Sequence, residues 1–296
     1  MARTYVQIKD DLEKEISSCK TKRIKVDRAL KIIKRAISDS IIYGGNTSKG
    51  NLIKTKKIIN LLHEVVKSEF ARKGVNANHI KPGFGLSKGE LKLAGILKKK
   101  DQDVSLVPNN EKMKLEILLT DGILKSKNDD YGKNYTEKVL TVNVRSQLSS
   151  FNNNFDTLYE RTFAEALNLH KRCPNMVLGE FYMIAVNEFD KTDAKKKKVS
   201  FTKNNNVDAH IEKYLLAFDA INQRSSKTDE AYKYEKVCLL IVDFNTLKIY
   251  NTDAELKKDG LLPKTTSATI KNLTFDTFFT DLLKTYETRF GKGRFS

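Results

Sequence analysis

Residues 138–190 decide the fold, and they read KVLTVNVRSQLSSFNNNFDTLYERTFAEALNLHKRCPNMVLGEFYMIAVNEFD. From Val139 to Gln147 apolar and polar side chains alternate, which predicts a β-strand with one face in the core. The simplest interpretation is an antiparallel strand whose other face is wet. That other face carries four polar groups in a row, namely Thr141, Asn143, Arg145 and Gln147.

The segment after this strand predicts a helix that begins at a capping box formed by Thr157 and Glu160. Side chains at helical spacing predict one buried stripe, made of Phe155, Leu158, Tyr159, Thr162, Ala166 and Leu169. At about 100° per residue, Glu165 lies at the edge of this stripe and Glu160 points away from it. The cap explains Glu160, so Glu165 is the carboxylate for which we expect a function.

The composition is that of a soluble protein that buries a substantial core, with 296 residues, 40% hydrophobic and 31% charged. No apolar run is long enough to span a bilayer, and the first residues lack the apolar segment of a secretory signal. The three cysteines are far apart, which favours neither a disulfide framework nor a zinc cluster. We therefore expect a cytoplasmic chain without a membrane segment.

Positive charge is concentrated in the first third of the chain. The formal net charge is +17, and residues 1–100 hold 24 Lys and Arg against 9 Asp and Glu. Such an excess favours a polyanionic partner, and nucleic acid is the first candidate. A lysine-rich surface that serves only solubility is the alternative. Basic clusters expected to contact DNA are Lys98, Lys99 and Lys100, followed by Lys195, Lys196, Lys197 and Lys198.

The order of elements predicts a mixed α/β fold with a central β-sheet flanked by helices and a basic helical N-terminal region. We divide the chain into a basic helical region, 1–80, which is expected to contact DNA, and an α/β core, 81–296. Helices are expected at 3–18, 24–43 (ended by Gly44 and Gly45), 52–72, 208–224 and 273–288. Another is expected at 91–100, behind a capping box of Ser87 and Glu90. Strands are expected at 104–107, 114–120, 138–147, 177–186, 237–242 and 247–250, with polar loops at 81–89, 125–137 and 187–207.

The order of elements from Asp103 onward resembles the PD-(D/E)XK nuclease core. Asp103 stands at the head of a strand, and a hairpin, a strand with a polar face, a helix and another strand follow it. VNVRSQLSSFNNNFDTLYERTFAEALNLH is similar to the strand-to-helix segment of some type II restriction endonucleases. The resemblance covers roughly residues 100–245 and implies a Mg²⁺-dependent, site-specific endonuclease acting on double-stranded DNA. The family's Glu-x-Lys positions are occupied here by Asn143-x-Arg145.

In one branch of this family the following helix supplies the glutamate, so the resemblance implies that Glu165 takes that role. Asp103 and Glu165 would then hold Mg²⁺, and Arg145 would contact the scissile phosphate without serving as a base. Secondary candidates are Glu90, Asn143, Gln147 and Glu160, and either Glu90 or Asp101 could replace Asp103 as the upstream acid that binds the metal. Palindromic DNA would favour a homodimer.

Two other functions stay open. One is a DNA-binding protein with a catalytically degenerate nuclease fold, which would bind DNA in a salt-dependent manner without cutting it. The other is a basic structural protein associated with nucleic acid, in which Asp103 and Glu165 serve stability alone.

Overall fold

A computed structural model describes residues 3–119, 122–148, 155–203 and 205–296. In this part of the chain the strands are β1 (Ile80–Lys81), β2 (Leu91–Ala94), β3 (Lys99–Gln102), β4 (Val104–Leu106), β5 (Glu116–Ile117), β6 (Asn128–Asp129), β7 (Leu140–Gln147), β8 (Val177–Ala185), β9 (Asn187–Phe189), β10 (Phe201–Lys203), β11 (Lys236–Asp243) and β12 (Lys248–Tyr250). The α-helices are α1 (Tyr5–Ser18), α2 (Val26–Lys54), α3 (Lys56–Arg72), α4 (Lys133–Glu137), α5 (Phe155–His170), α6 (Lys191–Lys195), α7 (Val207–Ala220), α8 (Asp253–Lys258) and α9 (Phe275–Phe290).

The central sheet is mixed and has the strand order β1-β4-β7-β8-β11-β12. β4 is antiparallel to β7, whereas β7, β8 and β11 run parallel to one another. Each parallel step therefore needs a crossover, and α5 and α7 lie in those connections. The predicted α/β class with a mixed sheet flanked by helices is confirmed.

Helices cover both faces of this sheet. One apolar cluster joins α1, α2, α3 and α9 to one face, and a second joins α5 and α7 to the other. Along β7, Leu140, Val142 and Val144 belong to the first cluster, while Asn143 and Gln147 are 3% and 4% exposed on the opposite face. The interpretation of β7 as a strand with one solvent-exposed face is wrong. β7 lies inside the sheet, between β4 and β8, and helices cover both faces of the sheet.

The N-terminal helices differ from the prediction at one junction. The helix that starts at Val26 is interrupted at Gly44 and Gly45, as predicted, since both have non-helical backbone angles. A second helical stretch follows the kink, however, so that α2 as a whole extends to Lys54 and α3 begins only at Lys56. Gly45 has a φ of +65°, and a Cβ on it would lie 2.8 Å from the carbonyl oxygen of Ala194 in α6. The kink lets α6 pack closely against α2.

Residues 91–102 form a β-hairpin, so the helix predicted at 91–100 is wrong. β2 and β3 pair antiparallel, and Ser87 and Glu90 precede a strand instead of capping a helix. Leu91 and Leu93 enter the apolar cluster beside α5 with strand alternation. The apolar spacing of this segment fits both periods over so short a run, and packing against α5 favours the strand.

Several shorter elements were also predicted incorrectly. α5 begins at Phe155, so Thr157 lies in its first turn and cannot be the N-cap. The strand predicted at 114–120 is reduced to β5, which pairs with β6 outside the central sheet, and its predicted last residue, 120, lies outside the described residues. The predicted loop at 125–137 contains β6 and α4, and the one at 187–207 contains β9, α6 and β10. Sequence patterns also missed α8.

Candidate active site on the α5 face of the sheet

Arg145 is the centre of a buried network of charges between β7, β8 and α5. Its Nε donates to Oε1 of Glu180 at 2.7 Å, and its Nη2 donates to Oε2 of Glu165 at 2.6 Å. The side chain of Arg145 is 18% exposed, that of Glu165 is 9% exposed and that of Glu180 is fully buried. The structure thus brings together the predicted Arg145 and Glu165, at the edge of the helix stripe where the phasing placed the carboxylate.

Sequence reasoning missed Glu180. It lies in the middle of β8, VLGEFYMIA, where every residue is buried. Burial raises the pKa of its carboxyl to about 7, against the opposing charge of Arg145. A single acid inside an otherwise apolar strand was the signal that could have identified it, since a buried charge requires a partner.

Lys100 is the second cation of the network, because its Nζ forms an ion pair with Oε2 of Glu165. The β2–β3 turn is held on α5 by Asn168, whose Oδ1 accepts from the backbone N–H of Leu97 at 2.8 Å. A Cβ at Gly95 would overlap the side chain of Asn168. This close approach brings the hairpin onto α5 one turn after Glu165, and so positions Lys100.

Asn143 is directly opposite Glu180 in the pairing of β7 with β8. Its Nδ2 donates to the hydroxyl of Tyr234 at 3.4 Å, and that hydroxyl donates to the carbonyl of Thr162 in α5 at 2.7 Å. The Oδ1 of Asn143 and the Oε2 of Glu180 are both buried without a hydrogen-bond partner. Two oxygen acceptors in need of a partner therefore lie on neighbouring strands, on the same face of the sheet.

Gln147 is held by aromatic hydroxyls. Its Oε1 accepts from Tyr182 at 3.2 Å and also from Tyr214. These contacts join the end of β7 to β8 and α7, which gives Gln147 a structural task beside the charge network.

Asp103 lies at the head of β4, as predicted, and its Oδ2 accepts from the backbone N–H of Val144 at 2.8 Å. The charge of Asp103 acts on two neighbouring groups. Burial raises the pKa of Glu90, and the charge of Asp103 raises it further. Burial lowers the pKa of His63 to about 4, although the charge of Asp103 works in the opposite direction. Among the contacts between described residues, none joins Asp103 to Glu165.

The remaining candidates lie outside the Arg145 network. Glu90 and Asp101 line a groove of about 590 Å³ whose wall also carries Lys56 and Lys88. Glu160 is exposed on α5. Lys98 is exposed and Lys99 is half-buried, and the predicted DNA contacts after Ala194 are all exposed: Lys195, Lys196, Lys197 and Lys198.

The oxygen donors around Arg145 are of the kind that Mg²⁺ binds. No group of three or more His, Cys, Asp and Glu side chains within the described ranges is arranged to hold a metal ion. The network instead offers two carboxylates, Glu165 and Glu180, and the amide oxygen of Asn143. Mg²⁺ takes oxygen ligands, retains several waters and commonly uses one or two protein carboxylates. Because two of these oxygens are buried and unpaired, the residues present fit the ion.

Comparisons of this chain with protein-family models, curated protein sequences and solved structures give no match. In the described part of the chain, no helix has the length and apolar character needed to cross a membrane. The function must therefore be argued from the site itself.

Proposed function

We propose that this protein is a Mg²⁺-dependent endonuclease that hydrolyses phosphodiester bonds in double-stranded DNA, of the type II restriction endonuclease kind. The observation that carries the proposal is the ion pair between Arg145, at the Asn-x-Arg position of β7, and Glu165 of the following helix. β7 has no glutamate at this position, but the ion pair with Glu165 places a carboxylate of α5 beside Arg145.

The arrangement of strands supports a restriction endonuclease-like core. Asp103 heads β4, β4 is antiparallel to β7, and α5 connects β7 to the parallel β8. This is the order in which the resemblance places the aspartate, the strand with the polar face, the helix and the next strand.

Within the site, Arg145 and Lys100 would bind the scissile phosphate. Their side chains are 18% and 24% exposed, so they form the accessible edge of the network. Although burial lowers it, the carboxylates of Glu180 and Glu165 raise the pKa of Arg145 above its ordinary value. Arg145 therefore stays charged and stabilises negative charge on the phosphate without acting as a base.

Glu165, with Asp103 as the second predicted ligand, would hold the ion. When bound, Mg²⁺ supplies a water of lowered pKa and neutralises charge on the phosphate. The Asp103 carboxylate also fixes the backbone of β7 beside Arg145 through Val144.

Plasmid cleavage tests the proposal. Supercoiled plasmid and phage DNA are incubated with wild-type protein and with Asp103→Asn, Glu165→Gln and Glu160→Gln, in Mg²⁺ or in EDTA. We expect discrete fragments that require Mg²⁺, disappear with Asp103→Asn and Glu165→Gln, and persist with Glu160→Gln, whose side chain is exposed on the same helix. Cleavage that survives Glu165→Gln would contradict the assigned site.

One observation favours a second candidate, a DNA-binding protein with a degenerate nuclease fold. Asn143 replaces an acid, and the carboxylate of Glu165 is already neutralised by Lys100 and Arg145. Salt-dependent binding to DNA without cutting in Mg²⁺ or Mn²⁺ would establish this function. A homodimer and a cytoplasmic location also stay predictions, tested by analytical ultracentrifugation and by cell fractionation.

A further inference from the structure

We infer that Glu180, together with Asn143, forms the floor of a divalent-cation site beneath Arg145, so that the cation-holding carboxylates include one from β8. This inference deepens the proposed nuclease function and rests on it. It assigns a ligand role to a residue that no sequence motif indicated.

Asn143 and Glu180 are register partners on the parallel strands β7 and β8. Arg145 follows two residues after Asn143, on the same face, and binds Oε1 of Glu180. The side chains of Asn143, Glu180 and Arg145 therefore share one face of the sheet, and Arg145 links Glu180 to Glu165.

Each residue of this pair has one buried oxygen without a hydrogen-bond partner. Glu180 is 0% and Asn143 is 3% exposed, yet Oε2 of the first and Oδ1 of the second lack any donor. A buried carboxylate elsewhere in the chain is fully satisfied: Glu235 accepts from Arg224 and Arg289 on Oε1 and from the N–H of Leu178 on Oε2. Two oxygens without donors, on residues paired in register, are therefore open to a cation.

The charges at this site are already balanced, because Glu165 and Glu180 pair with Arg145 and Lys100. A divalent cation on the two unpaired oxygens therefore adds positive charge beside these two basic groups, whose side chains are 18% and 24% exposed. A DNA phosphate bound by Arg145 and Lys100 would offset that charge, so cation and DNA phosphate are expected to bind cooperatively.

The test measures Mn²⁺ binding directly, by the electron paramagnetic resonance signal of the free ion, with and without duplex DNA. We expect wild type to bind Mn²⁺, Glu180→Gln to bind at least about 10-fold more weakly, and Asn143→Asp to bind more tightly by a similar factor. Glu64→Gln is the matched control, since Glu64 is equally buried, bound by Lys67 and has one unpaired oxygen. It should bind Mn²⁺ as wild type does.

Either of two results would overturn the inference: no Mn²⁺ binding by wild type in the presence or absence of DNA, or unchanged affinity in folded Glu180→Gln. Circular dichroism reports folding, and Asn143→Asp gives a gain that misfolding cannot mimic. If Mn²⁺ binding requires Glu180 but no DNA is cut, the cation site stands and the nuclease fails. If DNA is cut while binding ignores Glu180, the nuclease stands and this inference fails.

Discussion

Replacing Arg145 by Met should destabilise the protein mainly through Glu180. The guanidinium is bound to both Glu165 and Glu180, but Glu165 retains Lys100 when Arg145 is lost. Glu180 has no other ion pair in the described part of the chain and is fully buried. Removing one partner of a buried ion pair typically costs about 3–5 kcal/mol, and we expect a loss in this range for Arg145→Met.

A second substitution separates charge from packing. Glu180→Gln added to Arg145→Met removes the uncompensated carboxylate while it keeps the side-chain volume. We expect the double variant to regain about 2 kcal/mol over Arg145→Met, which is within the usual coupling of groups in one network. Simple loss of the contacts of Arg145 would instead make the two effects additive.

Urea unfolding at pH 8, followed by circular dichroism, measures these free energies. Arg28→Met is the control, because Arg28 pairs with Glu15 at 2.9 Å with half of its side chain exposed. Exposed pairs contribute about 0–1 kcal/mol, so this variant should lose no more than that. The reasoning is refuted if Arg145→Met loses as little as Arg28→Met, or if Glu180→Gln further destabilises it.

Three more predictions follow from the contacts. Gly95→Ala should lower the free energy of unfolding by about 1–3 kcal/mol and reduce DNA cleavage, because a Cβ overlaps Asn168 and displaces Lys100. Gly50→Ala is the control, since there is open space around its Cβ, and it should be neutral or stabilising in the same thermal-melting assay. Burial raises the pKa of the Glu235 carboxyl, but the charges of His170 and Arg289 outweigh this effect and hold the pKa below its ordinary value of 4.5. The ionised form therefore stabilises the fold above pH 4.5, and stability falls as pH drops below it. Glu235→Gln should thus destabilise more at pH 7 than at pH 4 in urea titrations. Replacing three exposed lysines by Gln should lower the slope of log affinity against log salt for DNA by up to about 3, with unchanged melting temperature; these are Lys196, Lys197 and Lys198.

Sequence reasoning found those residues of the site that belong to a periodic pattern of a strand or a helix. Arg145 and Glu165 were identified from strand alternation and from helix phasing, and the structure joins them at 2.6 Å. Glu180 belongs to no periodic pattern, and its only signal in the sequence is that it is an acid inside an otherwise apolar strand. Lys100 was misplaced on a helix, since the contact with Asn168 that favours the hairpin is 70 residues away in sequence.

The fold shows the same division. β7 was predicted from its alternation of apolar and polar residues, whereas β8 and β11 were predicted from their nearly continuous apolar runs. Gly44 and Gly45 predicted the break in α2, but not that helical structure resumes directly after it, where Gly45 packs against the backbone of α6. Elements of two to five residues, such as β5, β6 and α6, are too short for a periodic pattern.

The departure from Glu-x-Lys on β7 is less severe in space than in sequence. The strand presents an amide and a guanidinium, but α5 and β8 each bring a carboxylate to that guanidinium, and the β2–β3 hairpin brings an ammonium to one of them. A lysine and acids thus surround Asn143 and Arg145 although neither position holds one. Because a phosphate or a cation responds to charges in space, spacing along β7 alone is a poor basis for declaring the site inactive. The free oxygens of Glu180 and Asn143 make the question one of cation binding, which can be measured without any knowledge of the DNA sequence recognised.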